Sequence, residues 1–321
     1  MWDILPGTLY HWYRDHISDY LPDRSSGKWP SESLMEVDDD TGEVLKEQPV
    51  YVLKPENVGD RMCIDDKAIG HDGFTILSNA QTGKIAMMIE SCREKELVDA
   101  LSFFGDALLK VKTVSCDMSP TYLKLCREQM PHAQTVVDKF HVMSYLYDAV
   151  LDVLSRVKKE LAEQLTKGKE KTEEDRKILY GLELLKRCRY RLTQSVEKWT
   201  ETTRQLMAQI FDRHKDLKTV YDLAQDFKKW YDKNNCSKHI TVIKNDLYQW
   251  YEQVQQAGLD EMKSVVRMIR KHQYEILNYF SGGHTNAKAE TLNSKIQRFV
   301  AANYGYRDKD FALYRIAGYF L

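Results

Sequence analysis

The chain has 321 residues, and nowhere does it run to about 18 consecutive apolar residues, so no membrane-spanning helix is expected. It opens on Met1-Trp2-Asp3-Ile4, without the basic start and apolar stretch of a secretory signal, so the expected location is the cytoplasm. Its six cysteines (Cys63, Cys92, Cys116, Cys126, Cys188 and Cys236) include no Cys-x-x-Cys pair, which argues against a zinc site. Small core residues in a reducing compartment are the expectation for them. Low-complexity tracts are lacking, and the apolar and charged fractions, 43% and 30%, are those of a globular protein. Proline and glycine, only 7 and 15 in the whole chain, nearly vanish between 141 and 283, which leaves that stretch free for long helices.

A net charge is also nearly missing, at −1. The balance hides an asymmetry. Residues 1–60 carry 5 basic and 13 acidic groups, or −8, which leaves +7 on the remainder. An acidic head before a mildly basic body is compatible with a polyanionic partner and does not require one.

From residue 61 the apolar pattern is clear. Arg61–Asp65, Phe74–Ser78 and Lys84–Glu90 are short strand-like runs separated by Gly70-His71-Asp72-Gly73 and Gln81-Thr82-Gly83, the pattern of an antiparallel meander. Leu97, Ala100, Leu101, Phe104 and Leu108 recur at helical spacing. Val111–Cys116 reads as a strand. Ser119 and Pro120 are good N-cap and first-turn residues for a helix burying Leu123, Cys126 and Met130. Thr135–Val137 is a further strand. This order matches a ribonuclease-H-like α/β fold, a mixed sheet with helices on its faces.

Residues 141–283 read differently. Stripes such as Leu146, Val150, Val153, Val157 and Leu161, or Val220, Leu223, Ala224, Phe227, Trp230 and Tyr231, mark five or six helices. Turn signals lie at Lys167-Gly168-Lys169, Asn234-Asn235 and Ala257-Gly258. Gly282-Gly283 then breaks the chain, and Asn286 is placed to cap a last helix with Ala289, Leu292, Ile296 and Phe299 as its buried stripe. Residues 1–60 are harder to read: a short helix within Leu9–Tyr20, breakers from Pro22 to Pro30, a turn at Asp38-Asp39-Asp40-Thr41-Gly42, and a short edge strand at Pro49–Leu53. The expected division is an acidic N-terminal segment, 1–60, a first part of the catalytic core, 61–140, a helical insertion, 141–283, and a C-terminal helix region completing the core, 284–321.

Three acidic residues stand where chemistry would need them. Asp65 and Asp117 close strands that are neighbours in such a sheet, and Glu290 lies on the last helix away from its apolar stripe. A lone aspartate at a strand end ordinarily serves a turn or cap. Two side by side repel unless cations neutralise them. Mg²⁺ fits such oxygen donors, and a pair of divalent ions can clamp both oxygens of a phosphodiester displacement.

The segments Cys63-Ile64-Asp65-Asp66, Ser115-Cys116-Asp117-Met118-Ser119-Pro120, Val136-Val137-Asp138-Lys139-Phe140-His141-Val142 and Asn286-Ala287-Lys288-Ala289-Glu290-Thr291-Leu292-Asn293-Ser294-Lys295-Ile296 resemble the signature blocks of bacterial insertion-sequence transposases of the Asp-Asp-Glu type, ISL3 group. The resemblance runs from about residue 61 to 321. It implies a ribonuclease-H-like core interrupted by a helical insertion before the last acidic residue. Asp65, Asp117 and Glu290 would be the catalytic and metal-binding triad, with two Mg²⁺ ions, or Mn²⁺ in their place. Asp138 and His141 would support the site, and Asn293, Lys295 and Arg298 would contact DNA. The clusters Lys186, Arg187, Arg189, Arg191 and Arg267, Arg270, Lys271 are further candidates for phosphate contact, against the alternative of solvated helix faces. Trp199, Trp230 and Trp250 could stack on an unpaired base, although their helical spacing favours the core.

The implied activity is cleavage of element ends and strand transfer into target DNA, near the bacterial nucleoid. The implied partners are double-stranded DNA and a homodimer or larger synaptic assembly. Residues 1–60 show neither the cysteine-rich nor the helix-turn-helix region typical of the group, so the choice there is between a separate end-recognition protein and a truncated copy. The alternatives are a structure-specific nuclease or resolvase on the same scaffold, and a domesticated non-catalytic DNA-binding derivative.

Overall fold

The computed structural model describes residues 6–26, 32–37, 41, 44–69, 72–166, 172–281, 287–302 and 308–320. Seven strands are formed: β1 (Glu32–Val37), β2 (Val44–Leu53), β3 (Arg61–Ile69), β4 (Asp72–Asn79), β5 (Ile85–Ile89), β6 (Thr113–Cys116) and β7 (Gln134–Val137). The helices are α1 (Pro6–His16), α2 (Tyr20–Ser25), α3 (Glu94–Ser102), α4 (Pro120–Gln129), α5 (Lys139–Ala162), α6 (Glu173–Arg187), α7 (Glu201–Arg213), α8 (Lys215–Trp230), α9 (Ile240–Ala257), α10 (Asp260–Lys271), α11 (Gln273–Leu277), α12 (Ala287–Ala302) and α13 (Lys309–Phe320). The chain divides into two units, one made of residues 1–136 and 285–321 and the other of 137–284.

The first unit is a mixed sheet in the order β1-β2-β5-β4-β3-β6-β7. β3, β4 and β5 form the expected antiparallel meander, and β6 pairs with β3 in parallel. β5 is Ile-Ala-Met-Met-Ile with every residue buried, the run of a strand covered on both faces. Two sequence readings are corrected. The strand containing Pro49–Leu53 is interior, because β1 pairs along its outer side while β5 takes the other. Asp65 does not close its strand: β3 continues to Ile69 because β4 pairs with it to the end, Ile69 opposite Asp72.

Side chains alternate across a strand, and this settles what each face of β3 meets. Ile69, with Phe74 and Ile76 of β4, lies in a core shared with Leu292 and Ile296 of α12 and with Phe311, Leu313 and Ile316 of α13. Tyr20 joins it, and its hydroxyl donates to Asp310 at 2.6 Å. α2 therefore ties to the C-terminal α13, which follows a helix that the sequence suggested was the last. Pro22 does not break this segment, because it falls in the first turn of α2, where a missing N–H costs nothing.

The second unit holds seven helices among the described residues, α5 to α11, against an expectation of five or six. α9 ends as expected, with Gly258 at φ 72°, the left-handed conformation that a glycine C-cap supplies. Arg156 binds Glu261 at 2.8 Å, Asp216 at 3.0 Å and Glu160 at 3.2 Å, joining α5, α8 and α10. The Lys167-Gly168-Lys169, Gly282-Gly283 and Asn286 signals lie outside the described residues, as do Asp38-Asp39-Asp40, Gly70-His71 and the side chains of Ala289 and Glu290.

One carboxylate in this unit sets a pH response. Asp175 accepts from the Thr166 hydroxyl at 2.6 Å, the Thr166 N–H at 2.9 Å, and the Thr172 N–H and hydroxyl at 2.9 Å each. These bonds, those of Thr166 first, hold its pKa well below the usual carboxylate range. A depressed folded pKa gives stability that is complete above the unfolded value and is lost as pH falls toward the folded one. Asp175→Asn is expected to lower the melting temperature at pH 7 and to have a diminishing effect as the pH is taken down through 4. Melting curves of both proteins across pH 7 to 3 check this.

Candidate metal centre and nucleic-acid interface

β3 and β6 run side by side and carry the chain toward two acidic residues. Cys63 is opposite Ser115, the last pair of the parallel ladder. Asp65 lies two residues further along β3, and Asp117 two residues past Ser115, just beyond the end of β6. The arrangement has local causes. β6 ends at Cys116, and Asp117 turns the chain into α4 by accepting the Ser119 N–H at 2.7 Å. Ser119 holds the N-cap position and Pro120 the first turn, but the serine hydroxyl makes no cap bond. Beneath, hydrogen bonding to Cys126 and burial push the Cys116 thiol pKa well up. The four cysteines Cys63, Cys116, Cys126 and Cys188 are buried and unbridged.

Asp65 is held on both oxygens. Its Oδ1 accepts the Asp66 N–H at 2.9 Å, and its Oδ2 accepts from Asn293 Nδ2 of α12 at 2.6 Å. Asn293, expected at the DNA backbone, is thus placed against Asp65, across 228 residues of sequence. Glu290 precedes Asn293 by three residues in α12, so their backbone positions share a side of the helix. Its side chain is outside the described residues, and among those described no three His, Cys, Asp or Glu side chains gather as a metal site.

Asp66 points to the opposite face. There it accepts hydrogen bonds from the Tyr122 hydroxyl of α4 and from Thr75 Oγ1, the latter at 3.3 Å. The single Thr75 hydroxyl proton is shared between Asp66 and the Ser91 carbonyl, the nearer acceptor at 2.6 Å. Burial, with the Asp66 contact second, raises the Tyr122 pKa strongly. Adjacent acids thus do separate jobs: one faces α12, the other fastens α4. Sequence reading assigned Asp66 no role. The period-two alternation of β3 was the signal that it faces another partner. Lys67, on the Asp65 face, was also missed; burial lowers its pKa, and Asp65 opposes that effect.

The other candidates are dispersed. Asp138 caps α5, accepting the Phe140 N–H at 3.0 Å. His141 is half-buried, its ring 5.6 Å from that of the exposed Phe140. Lys295 and Arg298 are exposed on α12. Arg187 lies 3.7 Å from Glu183, Arg191 donates to Gln194 at 3.1 Å, and Arg270 stacks over Tyr251 at 4.8 Å. Arg189, Arg267 and Lys271 are exposed. Trp199, Trp230 and Trp250 are buried, and their indole N–H groups donate to carbonyls of Arg191, Ile243 and Leu223. A cleft of about 350 Å³ is lined in part by Trp230 and Trp250, with Lys229–Asp226 and Lys238–Asp246 pairs at 3.2 and 3.6 Å. Those pairs leave little net charge for a phosphate.

A mixed sheet with helices, one of whose strands carries an aspartate docked to a C-terminal helix, is consistent with a ribonuclease-H-like domain. A family model described as a transposase, of the DDE type and ISL3 group, matches residues 62–316, and the chain belongs to that family. The chain is 23% identical over 266 residues to the transposase for insertion sequence element IS1001 of Bordetella parapertussis, an alignment covering 81% of this chain and 60% of that relative. It therefore spans about three fifths of the length of the curated relative it matches. No solved structure matches it. No helix among the described residues is long and apolar enough to cross a membrane.

Proposed function

We propose that this chain is a DNA transposase that cuts the ends of its own element and joins them to target DNA. The observation that supports the reading is the bond that docks Asn293 of α12 on Asp65 of β3, the strand paired in parallel with the one that leads into Asp117. The donor set fits hard divalent cations: carboxylate oxygens, one fixed by a neutral amide that leaves its charge intact. Asp65, Asp117 and Glu290 would hold two Mg²⁺ ions, or Mn²⁺. When bound, such ions supply Lewis-acid stabilisation and an activated water for phosphodiester displacement. The protein's own contribution is to fix the oxygens. Asp65 is oriented from both sides, and Asp117 is set by the turn into α4. Glu290 is delivered by the helix that carries Asn293, so the helical insertion, 137–284, comes before the last acidic residue.

Asp138 and His141 support the site in this reading. Lys295 and Arg298 on α12, with Arg187, Arg189, Arg191, Arg267, Arg270 and Lys271 of the helical unit, contact DNA phosphates. The working assembly is a homodimer or larger complex on double-stranded DNA in the cytoplasm.

The test is a plasmid carrying this reading frame in its native flanking DNA. Excised element and new target junctions are expected with the wild-type chain. Cutting without joining would replace this reading with the nuclease one, and neither event would overturn it in favour of a non-catalytic derivative.

A further inference from the structure

We infer that Asn293 is a positioning residue, which acts through Asp65 to set both the orientation of a cation-binding carboxylate and the seat of α12 on β3. The inference rests on the proposed metal centre and goes one step beyond it. A carboxylate rotates about its terminal bond unless each oxygen is held, and here both are. The Asp66 N–H fixes Oδ1 and Asn293 Nδ2 fixes Oδ2 at 2.6 Å. Each carboxylate oxygen has more than one acceptor position, so a hydrogen bond to it and a bound cation are chemically compatible.

The residue type matters. A lysine or arginine at this position would make a charge-assisted bond to Asp65 and compete with a cation for its charge. An aspartate would add a like charge against it. An amide is the donor that orients the carboxylate and neutralises nothing. The contact is also mechanical. Leu292 and Ile296 bury one stripe of α12 against the sheet, and apolar contact alone tolerates sliding. The hydrogen bond from the half-buried Asn293 adds a fixed point. Because Glu290 is one turn before it on α12, the same bond fixes where that backbone stands along β3.

Partners that orient metal ligands typically change metal affinity about 10- to 100-fold when removed. The full chain, without DNA, is titrated with Mn²⁺ and free Mn²⁺ is followed by electron paramagnetic resonance. Asn293→Leu, similar in size, is expected to weaken Mn²⁺ binding by about that factor. Asn293→Asp is expected to melt at a lower temperature than wild type without cation and to regain most of the difference when Mn²⁺ is added. A merely structural residue would not give that cation-dependent recovery.

Unchanged Mn²⁺ affinity in folded Asn293→Leu overturns the inference, as does an Asn293→Asp melting temperature indifferent to Mn²⁺. Asp117→Asn is the control on the underlying reading. If it binds Mn²⁺ as tightly as wild type, the metal centre itself is misplaced. If it loses binding while Asn293→Leu does not, only the positioning role fails.

Discussion

Asp117→Asn is expected to reduce Mg²⁺-dependent cleavage of element-end DNA by about a thousandfold or more while leaving the fold intact. The fold survives because Asp117 has one structural duty, accepting the Ser119 N–H at 2.7 Å. The asparagine carbonyl can accept the same bond, so the turn into α4 remains. What disappears is one negative charge of the proposed metal centre. A metal-held displacement depends on several kcal/mol of charge stabilisation, and each 1.36 kcal/mol is about tenfold in rate. Asp65→Asn is the less clean probe. Its new amide group would either face the Asn293 amide, donor against donor, or turn toward the Asp66 N–H, so folding and chemistry would change together. Single-turnover cleavage of end-labelled DNA, with the melting temperature of Asp117→Asn as a folding control, makes the measurement. Wild-type cleavage rates in a folded Asp117→Asn protein would remove Asp117 from the chemistry.

Local patterns carried much of this into the sequence. The meander, the Ser119-Pro120 helix start and the stripes of α5, α8, α9 and α10 each depend on neighbours within a few residues, and each is present. That β3 and β6 are neighbours followed from the order of elements, and the two strands are paired in parallel. What stayed hidden depends on distant partners. β3 runs on through Asp65-Asp66-Lys67-Ala68 because β4 pairs with it, whereas the polar run alone reads as a strand end. The β1–β2 hairpin comes from an acidic stretch whose strand character is settled by pairing with β5. The Asn293–Asp65 bond spans 228 residues, and no local spacing announces it. Asp66 went without a role for a different reason: its contact with Tyr122 has no motif of its own.

Trp250→Ala is expected to destabilise the protein by about 3–5 kcal/mol, the usual cost of emptying a large aromatic site in a core. Trp250 is 3% exposed, its ring centroid lies 4.7 Å from that of Phe227, and its indole N–H donates to the Leu223 carbonyl at 2.9 Å. Phe227 in turn lies 5.1 Å from Trp230, which lies 5.0 Å from Phe280. Truncation would open a cavity among these rings and remove the bond that the Leu223 carbonyl accepts besides its helical one, and both effects act in the same direction. The rival role, stacking on an unpaired base, makes an opposite forecast. A stacking platform must present its face, and its loss costs about 1–3 kcal/mol of single-strand affinity per base with little change in stability. Urea unfolding and single-strand DNA binding, measured on the same Trp250→Ala sample, separate the two. A midpoint well below wild type identifies a core residue. A wild-type midpoint with weakened single-strand binding would return Trp250 to the nucleic-acid interface.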